Sequence, residues 1–169
     1  MYKNSYEVFE RTFDLLPKNC IKVTVEDFNA QIGKEAPFRP TIGHGSLQNT
    51  SNDNGMKLID FSMAKNLIIS STYFPRKNIH KQTWTSPDGK TKSQIDHVVI
   101  DKRYQTCIKN FRTYSCADGD SDHYLVFARF VLTLSVNWRN KKQFNKAVKL
   151  DGDKLKNSNE IRAYRARVT

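Results

Sequence analysis

Apolar side chains recur at Tyr6, Phe9, Phe13 and Leu16. That is the spacing of one helical face, and the run begins beside Ser5 and stops at Pro17, which predicts a helix over 5–16. Residues 21–28, Ile-Lys-Val-Thr-Val-Glu-Asp-Phe, alternate and are rich in β-branched side chains, which predicts a strand. Pro37, Pro40, Gly43 and Gly45 then mark a long irregular stretch. Asn52-Asp53-Asn54-Gly55 reads as the entry to a second helix, over 56–65 and closed by Asn66. Leu67 to Thr72 is a compact apolar run that predicts a strand. Thr83-Trp84-Thr85 and Ser93 to Ile100 flank Ser86-Pro87-Asp88-Gly89-Lys90, the pattern of a hairpin with a Pro-Asp-Gly turn. Further strands are predicted over 108–114 and from His123 to Phe130, or as far as Leu134. An acidic loop, 117–122, lies between them. Helices and strands interleave, so the pattern predicts an α/β fold.

After Asn137 the pattern dissolves, and Lys, Arg, Asn and Gln dominate. We therefore divide the chain into a domain over 1–136 and a basic, partly helical extension over 137–169. Charge sharpens this division. Of a formal net charge of +11, the residues from Val131 onward carry ten Lys and Arg against three Asp and Glu, or +7. Such an imbalance favours a polyanionic partner, nucleic acid ahead of an anionic membrane, with a merely solubilising tail as the alternative. Arg139, Lys141 and Lys142 are the candidate nucleic-acid contacts there. Cys20, Cys107 and Cys116 are odd in number and lack C-x-x-C spacing. They argue against a disulfide framework or a thiolate zinc site and fit a reducing compartment. There is no apolar leader pattern and no apolar run near the ~18 residues of a spanning helix. An intracellular protein, nuclear or cytoplasmic, is expected.

Three clusters carry candidate chemistry, each where a predicted strand ends or begins: Asp27-Phe28-Asn29, Asp96-His97 and Asp122-His123. Alternation would put Asp27 and Asn29 on one face of an extended chain. Asp96 interrupts an apolar strand, where a carboxylate is costly to bury unless paired. A histidine such as His123 would be its natural partner, gaining in return an acceptor that fixes its tautomer. Carboxylates, an amide and an oriented imidazole at neighbouring strand ends suit phosphodiester chemistry. Taken singly, each cluster has a blander explanation: a turn or helix cap for Asp-x-Asn, a solvated loop residue for Asp122, a satisfied imidazole for His123.

Val25-Glu26-Asp27-Phe28-Asn29-Ala30 resembles the Gly-Asp-Phe-Asn-Ala signature of the endonuclease/exonuclease/phosphatase superfamily. Thr83-Trp84-Thr85, Gln94-Ile95-Asp96-His97 and Ser121-Asp122-His123 are similar to its later signatures, in the same order. Ser51 to Gly55 and Asn66 to Thr72 resemble more narrowly the endonuclease domain of non-LTR retrotransposons, craniofacial development protein 2-like proteins included. The likeness runs from residue 5 to about 135 and covers the C-terminal half of that fold, a two-sheet α/β sandwich flanked by helices. It implies that Asp27 activates or aligns the attacking water and that Asn29 binds the scissile phosphate. It further implies that Asp96 orients His123, that His123 stabilises the phosphorane, that Asp122 helps hold Mg²⁺, and that Trp84 lies near the DNA groove. For Trp84 a place in the core is the competing expectation.

Two departures qualify the implied activity. The family's earlier half supplies a metal-binding Glu, a phosphate-binding Asn and a catalytic Tyr or His, for which no residue here stands. Glu26 also replaces the signature Gly, where strain and repulsion of Asp27 are expected. The resemblance thus implies a truncated DNA endonuclease that hydrolyses phosphodiesters with Mg²⁺ only when complemented. The alternative is a non-catalytic nucleic-acid- or protein-binding remnant, and a phosphatase on small phosphoesters is a third reading. From the charge distribution, binding to duplex or single-stranded DNA should weaken steeply with salt. The log–log slope should be roughly −4 to −5 if about four to six phosphates are neutralised. Deleting residues 137–169 should flatten that slope in an anisotropy titration, and an unchanged slope would make the extension a solubilising tail.

Overall fold

The computed structural model describes residues 3–115 and 121–132. The expected basic extension, with Arg139, Lys141 and Lys142, and most of the acidic loop lie outside the described residues. Helix α1 spans Lys3–Leu15 and ends just before Pro17, which cannot continue a helical hydrogen-bond ladder. Helix α2 spans Asp53–Ala64, three residues earlier than the apolar pattern alone predicts. The Asn52 side chain is the reason, since its Oδ1 accepts from Gly55 N at 2.7 Å as an N-cap. Gly55 is required by packing: a Cβ there would lie 2.1 Å from Gln31 O. None of the helices among the described residues is long and apolar enough to cross a membrane.

Strands β1 (Val23–Asp27), β2 (Leu67–Ile69) and β5 (Asp96–Asp101) form one antiparallel sheet in the order β1-β5-β2. β3 (Trp84–Thr85) pairs with β4 (Lys92–Ser93), and β6 (Ile108–Tyr114) with β7 (Leu125–Phe130). The expected α/β class holds, built here from several small antiparallel sheets. β5 is the middle strand, and alternation sends its apolar side chains into two separate cores. Val99 joins Leu67 and Ile69 beneath α1 and α2, where Phe13, Leu58 and Phe61 pack. Val98 and Ile100 join Ile68 on the other face, against Ile108 and Phe111 of β6. Phe9, Phe13 and Phe61 stack edge-on or tilted with centroids 5.0–6.3 Å apart, which locks α1 onto α2. The outer strands are less covered: Val25 of β1 is 62% exposed and Leu125 of β7 is 56% exposed.

Four sequence expectations need correction. The strand predicted over 67–72 stops at Ile69 and turns into a 3-10 segment, Ser70–Tyr73. There the Thr72 hydroxyl donates to Ile69 O at 2.7 Å, a local bond that competes with the ladder. The long strand predicted over 93–100 is divided between two sheets. At Gln94 and Ile95 the ladder is broken, because the amides of Ile95 and Asp96 both donate to the Thr83 hydroxyl oxygen, at 2.9 and 3.1 Å. The last strand begins at Leu125 rather than His123, which forms only an isolated bridge to Trp84. Glu26 lies in regular strand opposite His97 with its side chain in solvent, so the strain expected of a Glu in place of Gly does not arise.

His97 is fully buried and satisfied on both ring nitrogens. Its Nε2 lies 2.8 Å from Ala30 O and its Nδ1 2.8 Å from Ser71 Oγ. A carbonyl only accepts, so Nε2 carries the proton and Nδ1 accepts from the serine hydroxyl. Burial pushes the pKa down from 6.5 to about 4, outweighing the raising effects of Ala30 O and Asp27. The folded value lies below the unfolded one, so the unfolded chain binds more protons between them. Stability from this group is therefore complete above about pH 6.5 and is lost as pH falls towards about 4, by about 3 kcal/mol. Urea midpoints at about pH 7 and about pH 4.5 should differ accordingly, and His97→Gln, which removes the titrating ring, should shrink the difference.

Candidate functional site

β1 and β5 end side by side, with Asp27 opposite Asp96 in the register. Between them comes His123, carried by a segment that adds to the edge of β3. Thr85 N donates to Asp122 O at 3.0 Å, and Tyr124 N donates to Thr83 O at 2.8 Å. The Thr85 and Tyr124 hydroxyls meet at 2.7 Å and fix the same segment from its side chains. His123 N donates to Ser121 Oγ at 3.1 Å, which shapes the turn just before the imidazole.

The imidazole spans the two carboxylates. Nδ1 lies 3.2 Å from Asp96 Oδ2, and Nε2 lies 3.8 Å from Asp27 Oδ2. The first is a hydrogen bond; the second is too long for one and leaves Nε2 without a hydrogen-bond partner among the described residues. With Nδ1 donating to Asp96, the ring's orientation and tautomer are set. Burial raises the pKa of the Asp96 carboxyl above the ordinary carboxylate range; the Thr83 hydroxyl and His123 pull it down, and Asp27 adds to the rise.

Asn29 does not share a face with Asp27 by alternation, as the sequence suggested. The strand has ended, and Asn29 takes a left-handed backbone with φ 47°. Its amide donates to Asp27 Oδ1 at 2.8 Å, so the two residues form one tight Asx turn. A cavity of about 160 Å³ opens beside that turn, walled by Tyr6, Phe9 and Phe28. Burial, with Glu26 nearby, pushes the Tyr6 hydroxyl up to about 12, so it stays protonated.

Asp122 and Trp84 sit next to this trio rather than in it. The Trp84 indole Nε1 donates to Asp122 Oδ2 at 2.7 Å, and the ring is half-buried, neither in the core nor fully in solvent. Mg²⁺ needs near-octahedral oxygen ligation. Asp122 offers one carboxylate with an oxygen already engaged. The donor atoms of Asp27, Asp96 and His123 lie within 4.8 Å of one another, but the histidine ring is committed to Asp96. The described residues therefore do not by themselves make a fitting Mg²⁺ site.

Sequence reading missed Thr83, whose hydroxyl anchors the amide of Asp96, and Asn54, whose Nδ2 donates to Asn29 O at 3.2 Å. Both lie in segments that resemble family signatures, but the resemblance assigns them no role, and only the fold brings them to the site.

No family model matches the chain. Over 131 residues, 78% of this chain, it is 32% identical to craniofacial development protein 2 of Tragulus javanicus and 31% identical to that of Bos taurus. The matched stretch is 22% of either relative, so the chain spans about a fifth of the curated relatives it matches. Among solved structures it resembles the endonuclease domain of TRAS1, a telomere-specific non-LTR retrotransposon. The TM-score is 0.51 at 16% identity, covering 79% of this chain and 53% of that domain. The fold is thus of the endonuclease/exonuclease/phosphatase type.

The two amides held by Thr83 give a test of how the site is anchored. Thr83→Val, nearly the same in shape, strips the acceptor from two N–H groups, that of Ile95 buried and that of Asp96 part-buried, and should destabilise the chain by about 1–3 kcal/mol. Thr83→Ser should restore most of that in urea denaturation. A neutral valine variant would show that the hydroxyl does not hold Asp96.

Proposed function

We propose, from the premise that this chain has the endonuclease/exonuclease/phosphatase-type fold, that it supplies the base, phosphate-binding and histidine part of a site hydrolysing DNA phosphodiesters. The observation that carries this reading is the His123 imidazole held between Asp96, at 3.2 Å, and Asp27, at 3.8 Å, at the joint end of β1 and β5.

In this mechanism Asp27 orients a water and takes its proton as the water oxygen bonds to phosphorus. Asn29, turned outward beside Asp27, donates its side-chain amide to a phosphoryl oxygen. Asp96 holds His123 in place, and the free Nε2, when protonated, donates to the oxygens on which charge builds as the bond to the leaving sugar oxygen breaks. Trp84 and the basic extension, with Arg139, Lys141 and Lys142, contribute contacts to the DNA. Asp122 is proposed as one oxygen ligand among several for a divalent cation such as Mg²⁺, the remainder coming from polypeptide beyond the described residues. That the matched stretch is 53% of the TRAS1 endonuclease domain agrees with a site shared in this way.

A second reading, a non-catalytic nucleic-acid-binding module, is favoured by one observation: the described residues do not by themselves make a fitting Mg²⁺ site. Plasmid nicking separates the two. The 169-residue chain alone should bind DNA without nicking it. Fused behind the segment that precedes the matched stretch in the Bos taurus relative, it should nick in the presence of Mg²⁺. His123→Ala in the fusion should lower the rate by at least about 100-fold. A fusion that folds and binds DNA yet never nicks would favour the binding module, and His123-dependent nicking by the chain alone would overturn the shared site.

A further inference from the structure

The backbone from Phe28 to Gln31 is unusually well held for a surface turn. Phe28 N donates to Ile95 O at 3.2 Å, and Asn29 N donates to the Asp27 carboxylate. Asn29 O accepts from Asn54 Nδ2, and Ala30 O accepts from His97 Nε2 at 2.8 Å. Gln31 N donates to Asn52 Oδ1 at 3.1 Å, while Gln31 O accepts from Asn52 N at 3.1 Å. The bonds come from three places: β5 with the residue just before it, the start of α2, and the turn itself. Such holding has a physical reason, because a non-glycine residue in the left-handed region persists only where its surroundings over-determine it.

His97 is the one buried titratable side chain of this set, and nothing in the proposed chemistry uses it. With 1% of its surface exposed it cannot touch a substrate. As a core residue alone it is a poor choice, since a polar ring in an apolar layer costs more than a leucine would. What the imidazole adds is a connection between two segments far apart in sequence, Ser71 on one nitrogen and Ala30 on the other.

We propose that His97 is a positioning residue: with its Nδ1 held by the Ser71 hydroxyl, its Nε2–H bond to Ala30 O sets the turn that presents Asp27 and Asn29 at the site. Ser71 lies in the 3-10 turn after β2, so the turn carrying Asn29 is registered to the sheet through a buried serine–histidine–carbonyl chain. Adjacent residues of β5 thereby serve the two halves of the site from opposite faces. Asp96 sets His123 on one face, and His97 sets the Asp27–Asn29 turn on the other. The inference rests on the reading of Asp27 and Asn29 as substrate-facing groups.

The test uses the 169-residue chain with His97→Leu, His97→Gln and Ser71→Ala. Long-range ¹H–¹⁵N spectra of the unaltered protein should show His97 protonated on Nε2 alone. Ser71→Ala removes the donor to Nδ1 while Ala30 O still accepts from Nε2, so it should leave the proton on Nε2 and quicken amide exchange at Asn29. In His97→Leu, amide exchange at Asn29 should quicken by at least about tenfold beyond any change at Phe111 in β6, roughly what one hydrogen bond is worth. His97→Gln can donate to Ala30 O and accept from Ser71, and should return Asn29 to within about threefold of the original rate. If the leucine and glutamine variants exchange alike at Asn29, or if Asn29 only follows Phe111, the proposal is wrong. Should His97→Leu fail to fold, Ser71→Ala decides: exchange at Asn29 that does not quicken beyond that at Phe111 overturns it. Titration with a short DNA duplex tests the underlying reading separately. An Asn29 amide that does not shift on adding DNA would sink the DNA-site assignment, while the exchange rates would still judge the role of His97.

Discussion

Everything at the site hangs on β5 being covered on both faces. A strand so placed can be apolar along its length, and Val98, Val99 and Ile100 are each at most 2% exposed. Its first two residues are not apolar, and each must find a polar partner on its own face or leave a buried group unsatisfied. Asp96 finds His123, from the segment that follows β6. His97 finds Ser71 and the Ala30 carbonyl. Satisfying one strand end thus recruits three other parts of the chain to the same place, and that meeting point is the candidate site.

The same requirement explains why the strand is broken just before Asp96. Had the ladder run unbroken from Ser93 to Ile100, Asp96 would belong to a single continuous sheet. Instead Thr83 takes both amides at the joint, and the chain passes from the small β3–β4 sheet into the central one. The β3 edge is then free for the segment that carries Asp122 and His123. The break in regular structure and the assembly of the site have one cause.

Coverage is uneven elsewhere, and the unevenness has a direction. The face of β5 and β2 towards the helices and the face towards β6 are both well packed. Apolar side chains remain in solvent on the outer strands, at Val23 and Val25 of β1 and at Leu125, Phe127 and Phe130 of β7.

Much was legible in the sequence because it depends on local patterns. The helical stripe Tyr6-Phe9-Phe13, the β-branched run at β1, the Pro-Asp-Gly hairpin and the α/β class follow from periodicity and turn chemistry, which act over a few residues. The expectation that Asp96 needs a partner also follows from the sequence, since a carboxylate in an apolar strand demands one. Only the tertiary structure decided which partner, at what distance, and from which segment. It decided that Asn29 turns into the left-handed region rather than continuing the alternation, and that Glu26 rests unstrained in a regular strand. It also decided that Thr83, Ser71 and Asn54, to which the sequence assigned no role, hold the polar ends of the site. Hydrogen bonds between residues some ten to seventy positions apart have no signature in either neighbourhood. They exist because packing β5 between two layers leaves its polar end no other way to be satisfied.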